Sequence, residues 1–125
     1  MKKIIKTENA PAPIGPYNQA VLANGVLYIS GQIAIEPQSG NLNLQDIEAE
    51  THQVMKNLEA ILKEAGMTFQ NVVKSSIFLL DMNNFAKINN IYGSYFSSDF
   101  PARETVQVSC LPKNVNVEIS MIAVQ

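Results

Sequence analysis

The chain has 125 residues, 46% of them apolar and 16% charged, which is enough apolar side chain for a packed core and too much for a disordered segment. Nine basic residues against eleven acidic ones leave a net charge of -2, which argues against a protein that needs a basic footprint to hold nucleic acid. A single cysteine, Cys110, leaves no internal disulfide, and a single histidine, His52, leaves no zinc site of the usual His/Cys kind.

The length predicts one domain over residues 1–125. The start, Met1-Lys2-Lys3-Ile4-Ile5-Lys6, has no apolar segment of signal-peptide length, and no run approaches the roughly 18 apolar residues that span a bilayer. The expectation is a cytoplasmic protein in a reducing compartment, with no membrane partner.

In chain order, residues 4–6 read as a short opening strand. Residues 9–17 hold three prolines and a glycine, so they form a loop and not a central strand. Two strands, 19–22 and 26–32, flank Asn24-Gly25, a pair that tolerates the positive φ of a tight hairpin turn. A second loop spans 36–41. Over residues 46–65 the period becomes helical, with Ile47, Thr51, Val54, Leu58, Ile61, Leu62 and Ala65 on one stripe. Asn43 or Asp46 would cap its start, and Gly66 suits the left-handed position past its end. His52 lies off the stripe and is expected to be solvated.

Residues 72–80 read as a strand that is apolar on both faces. Asp81 or Asn84 would cap a second helix bearing Phe85, Ile88, Tyr92, Tyr95 and Phe96 on one face, and Phe100-Pro101 ends it. A strand is expected over 105–110, with Val106, Val108 and Cys110 toward the core, and Cys110 reads as a buried small hydrophobe. Residues 111–114 form a turn. The last strand, 115–124, places Val117, Ile119, Met121 and Ala123 on one side.

The order predicts an α+β fold, a mixed sheet with two helices. Right-handed crossovers place both helices on one face. The other face is then apolar and uncovered, which points to a homo-oligomer whose sheets pack together. The alternative divides the helices between the two faces.

No Gly-rich phosphate loop, dinucleotide fingerprint or nucleophile elbow is present. Arg103 follows the rigid turn Phe100-Pro101-Ala102 and directly precedes a strand, so its planar fork suits a small carboxylate; an ordinary surface arginine is the plainer alternative. Glu118 interrupts an apolar strand, where a carboxylate needs either a partner or a task. Tyr17 ends the proline loop, and Ser30-Gly31 ends a strand at a place where backbone can approach a ligand closely. These residues line one pocket if the strand ends converge.

The segments Thr7-Glu8-Asn9-Ala10-Pro11, Ile14-Gly15-Pro16-Tyr17, Ser30-Gly31-Gln32, Pro101-Ala102-Arg103, Leu111-Pro112 and Val117-Glu118-Ile119 resemble, in order and spacing, the reactive-intermediate deaminase (Rid) family, in its archetypal imine deaminase subgroup. The resemblance runs end to end. It implies a chorismate-mutase-like α+β fold, a homotrimer, and ligand clefts between subunits. It implies hydrolysis of 2-imino acids and their enamine tautomers to 2-keto acids, without cofactor or metal. Pyridoxal-phosphate dehydratases are implied as metabolic neighbours only.

By matching position, Arg103 would hold the substrate carboxylate and Glu118 would position and activate water. Tyr17, Ser30 and Gly31 would line the pocket, Asn89 would sit near it, and Thr105 would contact the ligand through its backbone. Two departures stand out. Glu104 follows the arginine where small or hydroxyl residues are common, and is expected to draw on the guanidinium. Ser120 replaces an acidic residue often seen after Val-Glu-Ile. A non-catalytic sensor of small carboxylates would use the same pocket. An RNA-directed activity is disfavoured by the net charge and by the lack of a basic-aromatic stripe.

Overall fold

The computed structural model describes residues 1–125. Six strands, β1 (Lys2–Ile5), β2 (Ala20–Ala23), β3 (Val26–Gln32), β4 (Val72–Leu79), β5 (Ala102–Gln107) and β6 (Val117–Val124), form one sheet of order β1-β2-β3-β6-β4-β5. Only β4 and β5 pair in parallel; every other pair is antiparallel. Two helices, α1 (Ile47–Glu64) and α2 (Phe85–Gly93), carry the crossovers β3-α1-β4 and β4-α2-β5.

Both crossovers advance in the same direction across the sheet, so shared handedness places both helices on one face. There α1, α2 and the sheet enclose one core that includes Leu27, Leu58, Ile61, Ile77, Ile88, Val117 and Ile119. The division of helices between faces is therefore not what forms.

The hairpin turn is as the sequence dictates, with Asn24 at φ 52° and Gly25 at φ 77°. Asp46, not Asn43, caps α1: its extended backbone lets the side chain accept from the Ala49 N–H at 2.7 Å. Gly66 takes φ 74° just past the helix. The proline loop is held by Gln19, which is buried. Its Oε1 accepts from the Thr7 N–H, and its Nε2 donates to the carbonyls of Thr7, Ala10 and Pro11. One amide thus satisfies backbone groups that a proline-rich segment cannot pair with itself.

Several expectations give way, among them the second helix, which ends at Gly93 and not at Phe100-Pro101. The strand expected over 105–110 runs over Ala102–Gln107, so Cys110 lies outside it and is exposed. The alternating valines misled because β5 is an edge strand: Val106 faces away from the helices and is 40% exposed, while Arg103 and Thr105 take the helix side. His52 is half-buried, because Tyr95, beyond the end of α2, folds back onto α1 and its hydroxyl meets His52 Nδ1 at 2.8 Å. The last strand begins at Val117; Val115 packs instead with Ile33 and Ile35 in a small satellite cluster.

On the far face, alternate residues of β3, β6, β4 and β5 carry no cover. Tyr28 is 51% exposed there, opposite Ile122, and Phe78 and Val106 pair with each other further along the same face. No helix is long and apolar enough to cross a membrane.

Candidate functional site

Arg103 enters from β5, directly after the rigid Phe100-Pro101 turn. It lies opposite Ser75 of β4, which is buried on the helix side, so the arginine also points toward the helices. There α2 receives it. Phe85, Asn89 and Tyr92 are spaced at i, i+4 and i+7 and form one row on that helix. Arg103 Nη1 donates to Asn89 Oδ1 at 2.8 Å. The guanidinium carbon stands 5.1 Å from the Tyr92 ring centroid and 5.8 Å from that of Phe85, within range of cation–π attraction.

The Tyr92 hydroxyl donates to Ser75 Oγ at 2.9 Å, which pins the ring. Burial raises the Tyr92 phenol above its usual pKa, against the opposing effects of the Ser75 hydrogen bond and the Arg103 charge. Asn89, Tyr92, Gly93, Phe100, Pro101 and Arg103 line an open pocket. No carboxylate pairs with Arg103. Glu104, expected to draw on the guanidinium, lies on the opposite face, where it pairs with Lys74 at 2.9 Å and accepts from Ser76. Those two contacts hold its carboxyl below the usual range.

Glu118 sits on β6 between Val117 and Ile119, both fully buried under the helices, so its own side chain takes the uncovered face. It forms no ion pair or side-chain hydrogen bond within the chain, and partial burial raises its carboxyl above the usual range. Around it stand Tyr17, Gly31 and Pro112, with Ile14, and Ser30 completes the outer part of the cleft. The Tyr17 hydroxyl accepts from the Ile14 N–H at 3.2 Å, and Ser30 Oγ donates to the Asn18 carbonyl at 2.6 Å.

The sequence-predicted residues thus fall into two groups. Tyr17, Ser30, Gly31 and Glu118 converge on one cleft; Arg103 and Asn89 converge on another. The groups lie on opposite faces, two strands apart, so about 10 Å of sheet separates them. One chain does not bring Arg103 and Glu118 together. Thr105 shares the helix side with Arg103, and its Oγ1 is buried without a partner. Because Val108 N–H bonds inward to the Leu79 carbonyl, strand parity directs the backbone N–H and C=O of Thr105 to the free edge of β5.

Phe85 and Tyr92, which read as helix-core residues in the sequence, also form the platform under Arg103. The signal was their spacing with Asn89. Pro112, read as a turn residue within the Leu111-Pro112 segment and given no place in the site, forms part of the Glu118 cleft.

The family model described as Endoribonuclease L-PSP matches residues 7–125. The chain belongs to this family, the Rid family. A 2-iminobutanoate/2-iminopropanoate deaminase of Bos taurus is 50% identical over 125 residues, covering 100% of this chain and 91% of that protein. A crystal structure of a Rid protein from Yersinia pestis shares 51% identity and a TM-score of 0.97, with full coverage of both chains. That of E. coli TdcF with bound serine shares 39% identity and a TM-score of 0.95, covering 98% of each chain. The α+β architecture of the Rid family is therefore that of this protein.

Proposed function

We propose that this chain is a 2-iminobutanoate/2-iminopropanoate deaminase, hydrolysing reactive 2-imino acids and their enamine tautomers, such as 2-aminoacrylate, to 2-keto acids and ammonia. The observation that carries the reading is the state of Arg103. Its fork is stacked on two aromatic faces and bonded to a neutral amide, with no acid to neutralise it. A cation so held, and so uncompensated, favours a small carboxylate bound through two hydrogen bonds. Full-length relatives named for this activity, and a relative that holds serine, support the same ligand class.

The two half-sites support a site shared between copies. The uncovered face, with Tyr28, Phe78, Val106 and Ile122, is the surface on which sheets would pack. We take the assembly to be the homotrimer that the Rid resemblance implies. Arg103, Asn89 and the Thr105 edge of one copy would then face Glu118, Tyr17, Ser30 and Gly31 of the next. The whole chain acts as one such domain, in the aqueous cytoplasm.

The chemistry needs little else. Protonation of an enamine at C3 by solvent gives its iminium ion, the protonated imine whose carbon is electrophilic. Arg103 fixes the carboxylate, so the imine carbon, C2, stands at a defined place. Glu118, ionised, accepts a proton from water as its oxygen bonds to C2, and the imine nitrogen becomes an amine. The same carboxyl then returns the proton to nitrogen. The C–N bond breaks, ammonia leaves, and the hydroxyl proton departs as the C=O forms.

Adding the protein to a threonine dehydratase reaction should accelerate 2-ketobutyrate release, and Arg103→Ala should lose that gain. Saturable 2-ketobutyrate binding without any acceleration would instead make the chain a carboxylate sensor. An RNA-directed reading has less support: His52 is tied to Tyr95, away from both clefts.

A further inference from the structure

β3 departs from regular pairing beside Glu118. Ile29 lies opposite Met121, but Gln32 lies opposite Ile119, so β3 advances three residues where β6 advances two. This is a β-bulge, a feature that re-aims side chains and is enriched next to active sites. Ile29 and Gln32 both remain buried under the helices. Ser30 and Gly31 are therefore both left to the uncovered side, opposite Ser120. Ser30 is anchored there twice: its N–H donates to the Gln19 carbonyl at 2.9 Å, and its Oγ donates to the Asn18 carbonyl.

Gly31 is not required by its backbone. Its φ is negative, unlike those of Gly25, Gly40 and Gly66, so any residue could adopt it. What it supplies is space, which the Glu118 carboxyl fills. A Cβ at this position would overlap Glu118 Oε2 and stand 2.8 Å from Cδ and 3.1 Å from Cγ. The missing side chain is the seat on which the carboxyl group rests. Regular pairing would place a different part of β3 beside Glu118.

We propose that the Ser30-Gly31 bulge positions Glu118: the empty place at residue 31 holds its carboxyl group in the cleft, half out of water, where it meets the reacting water. Gly31 is a positioning residue in this role, beyond forming part of the wall. The inference rests on the deaminase reading. The partial burial that raises the Glu118 carboxyl is a consequence of this seat.

The test is Gly31→Ala, made in both wild-type and Glu118→Ala backgrounds. In the wild-type background the methyl group displaces the carboxyl toward solvent. The deamination kcat should fall by about tenfold or more while KM changes by less than about threefold, because Arg103 is untouched. The acid limb of the kcat–pH profile should move to lower pH. In the Glu118→Ala background, which has no turnover to lose, the same substitution should leave the melting temperature unchanged, because its collision partner is gone. An equal fall in melting temperature in both backgrounds, or an unshifted profile with wild-type kcat, would overturn the proposal.

The Glu118 side-chain carboxyl 13C titration gives a readout independent of turnover. It should move toward the ordinary glutamate value in Gly31→Ala, and no movement would contradict the seat. Should Gly31→Ala fail to fold, Gly31→Ala/Glu118→Ala should fold; failure of both would refute steric conflict with Glu118 as the reason for glycine. A wild type that turns over no imine would defeat the deaminase reading alone and leave the titration to decide the seat.

Discussion

Glu118 carries a conflict between stability and activity. Its carboxyl is raised by burial and has no partner within the chain to offset that cost. In the folded protein it holds its proton to a higher pH than in the unfolded chain. The stability it contributes therefore falls as pH rises from the ordinary glutamate range through the raised value. Glu118→Gln removes the charge, so at neutral pH it should melt at a higher temperature than the wild type while losing most deaminase activity. Parallel melting and rate measurements check both halves; a lower melting temperature would contradict the unpaired-charge description. Since the ionised form is the one that takes a proton from water, the wild-type rate should fall on the acid side at a pH above the ordinary glutamate range. Glu118 was legible in the sequence because a charge stood in an apolar strand. That it lies across the sheet from Arg103 was not, because face and register depend on which strands become neighbours.

The elements show where pattern suffices and where it does not. The α1 stripe was readable because Val54, Leu58, Ile61 and Leu62 recur at helical spacing, and all are fully buried. The same helix also buries two polar residues that periodicity marks as exposed. Asn57 donates to the carbonyls of Ile33 and Ile35, which lie beyond the end of β3. Glu50 accepts from the N–H groups of Asn116 and Val117 and from Asn116 Nδ2, fixing the start of β6 just before Glu118. Neither partner is local in sequence, so no spacing rule finds them. Glu50→Ala leaves those donors buried and unpaired, and should destabilise the protein by about 2–3 kcal/mol in urea unfolding. β5 was misplaced for a related reason. Its alternation of Thr105, Val106, Gln107 and Val108 looks like a buried strand, yet an edge strand under a short helix turns its polar residues to the site and its valine outward.

At the scale of the whole molecule, the uncovered face and the split site make one demand. The sequence already implied a partner for the sheet, since residues 72–80 read as apolar on both faces and the two helices cover only one. The structure adds that the cation and the acid of the site stand on opposite sides of that sheet. Tyr28 is well exposed on the uncovered face, so Tyr28→Glu should leave the isolated fold intact. It should convert the assembly to monomers in sedimentation and abolish deamination; an active monomer would show that one copy is sufficient. The most direct measurement mixes two inactive variants. Arg103→Ala and Glu118→Ala chains, each without activity alone, are unfolded together, refolded together and assayed for 2-iminobutanoate hydrolysis. A site shared between copies predicts that activity returns, because some interfaces pair an intact Arg103 from one chain with an intact Glu118 from the other. Mixed assemblies that form and remain inactive would contradict it.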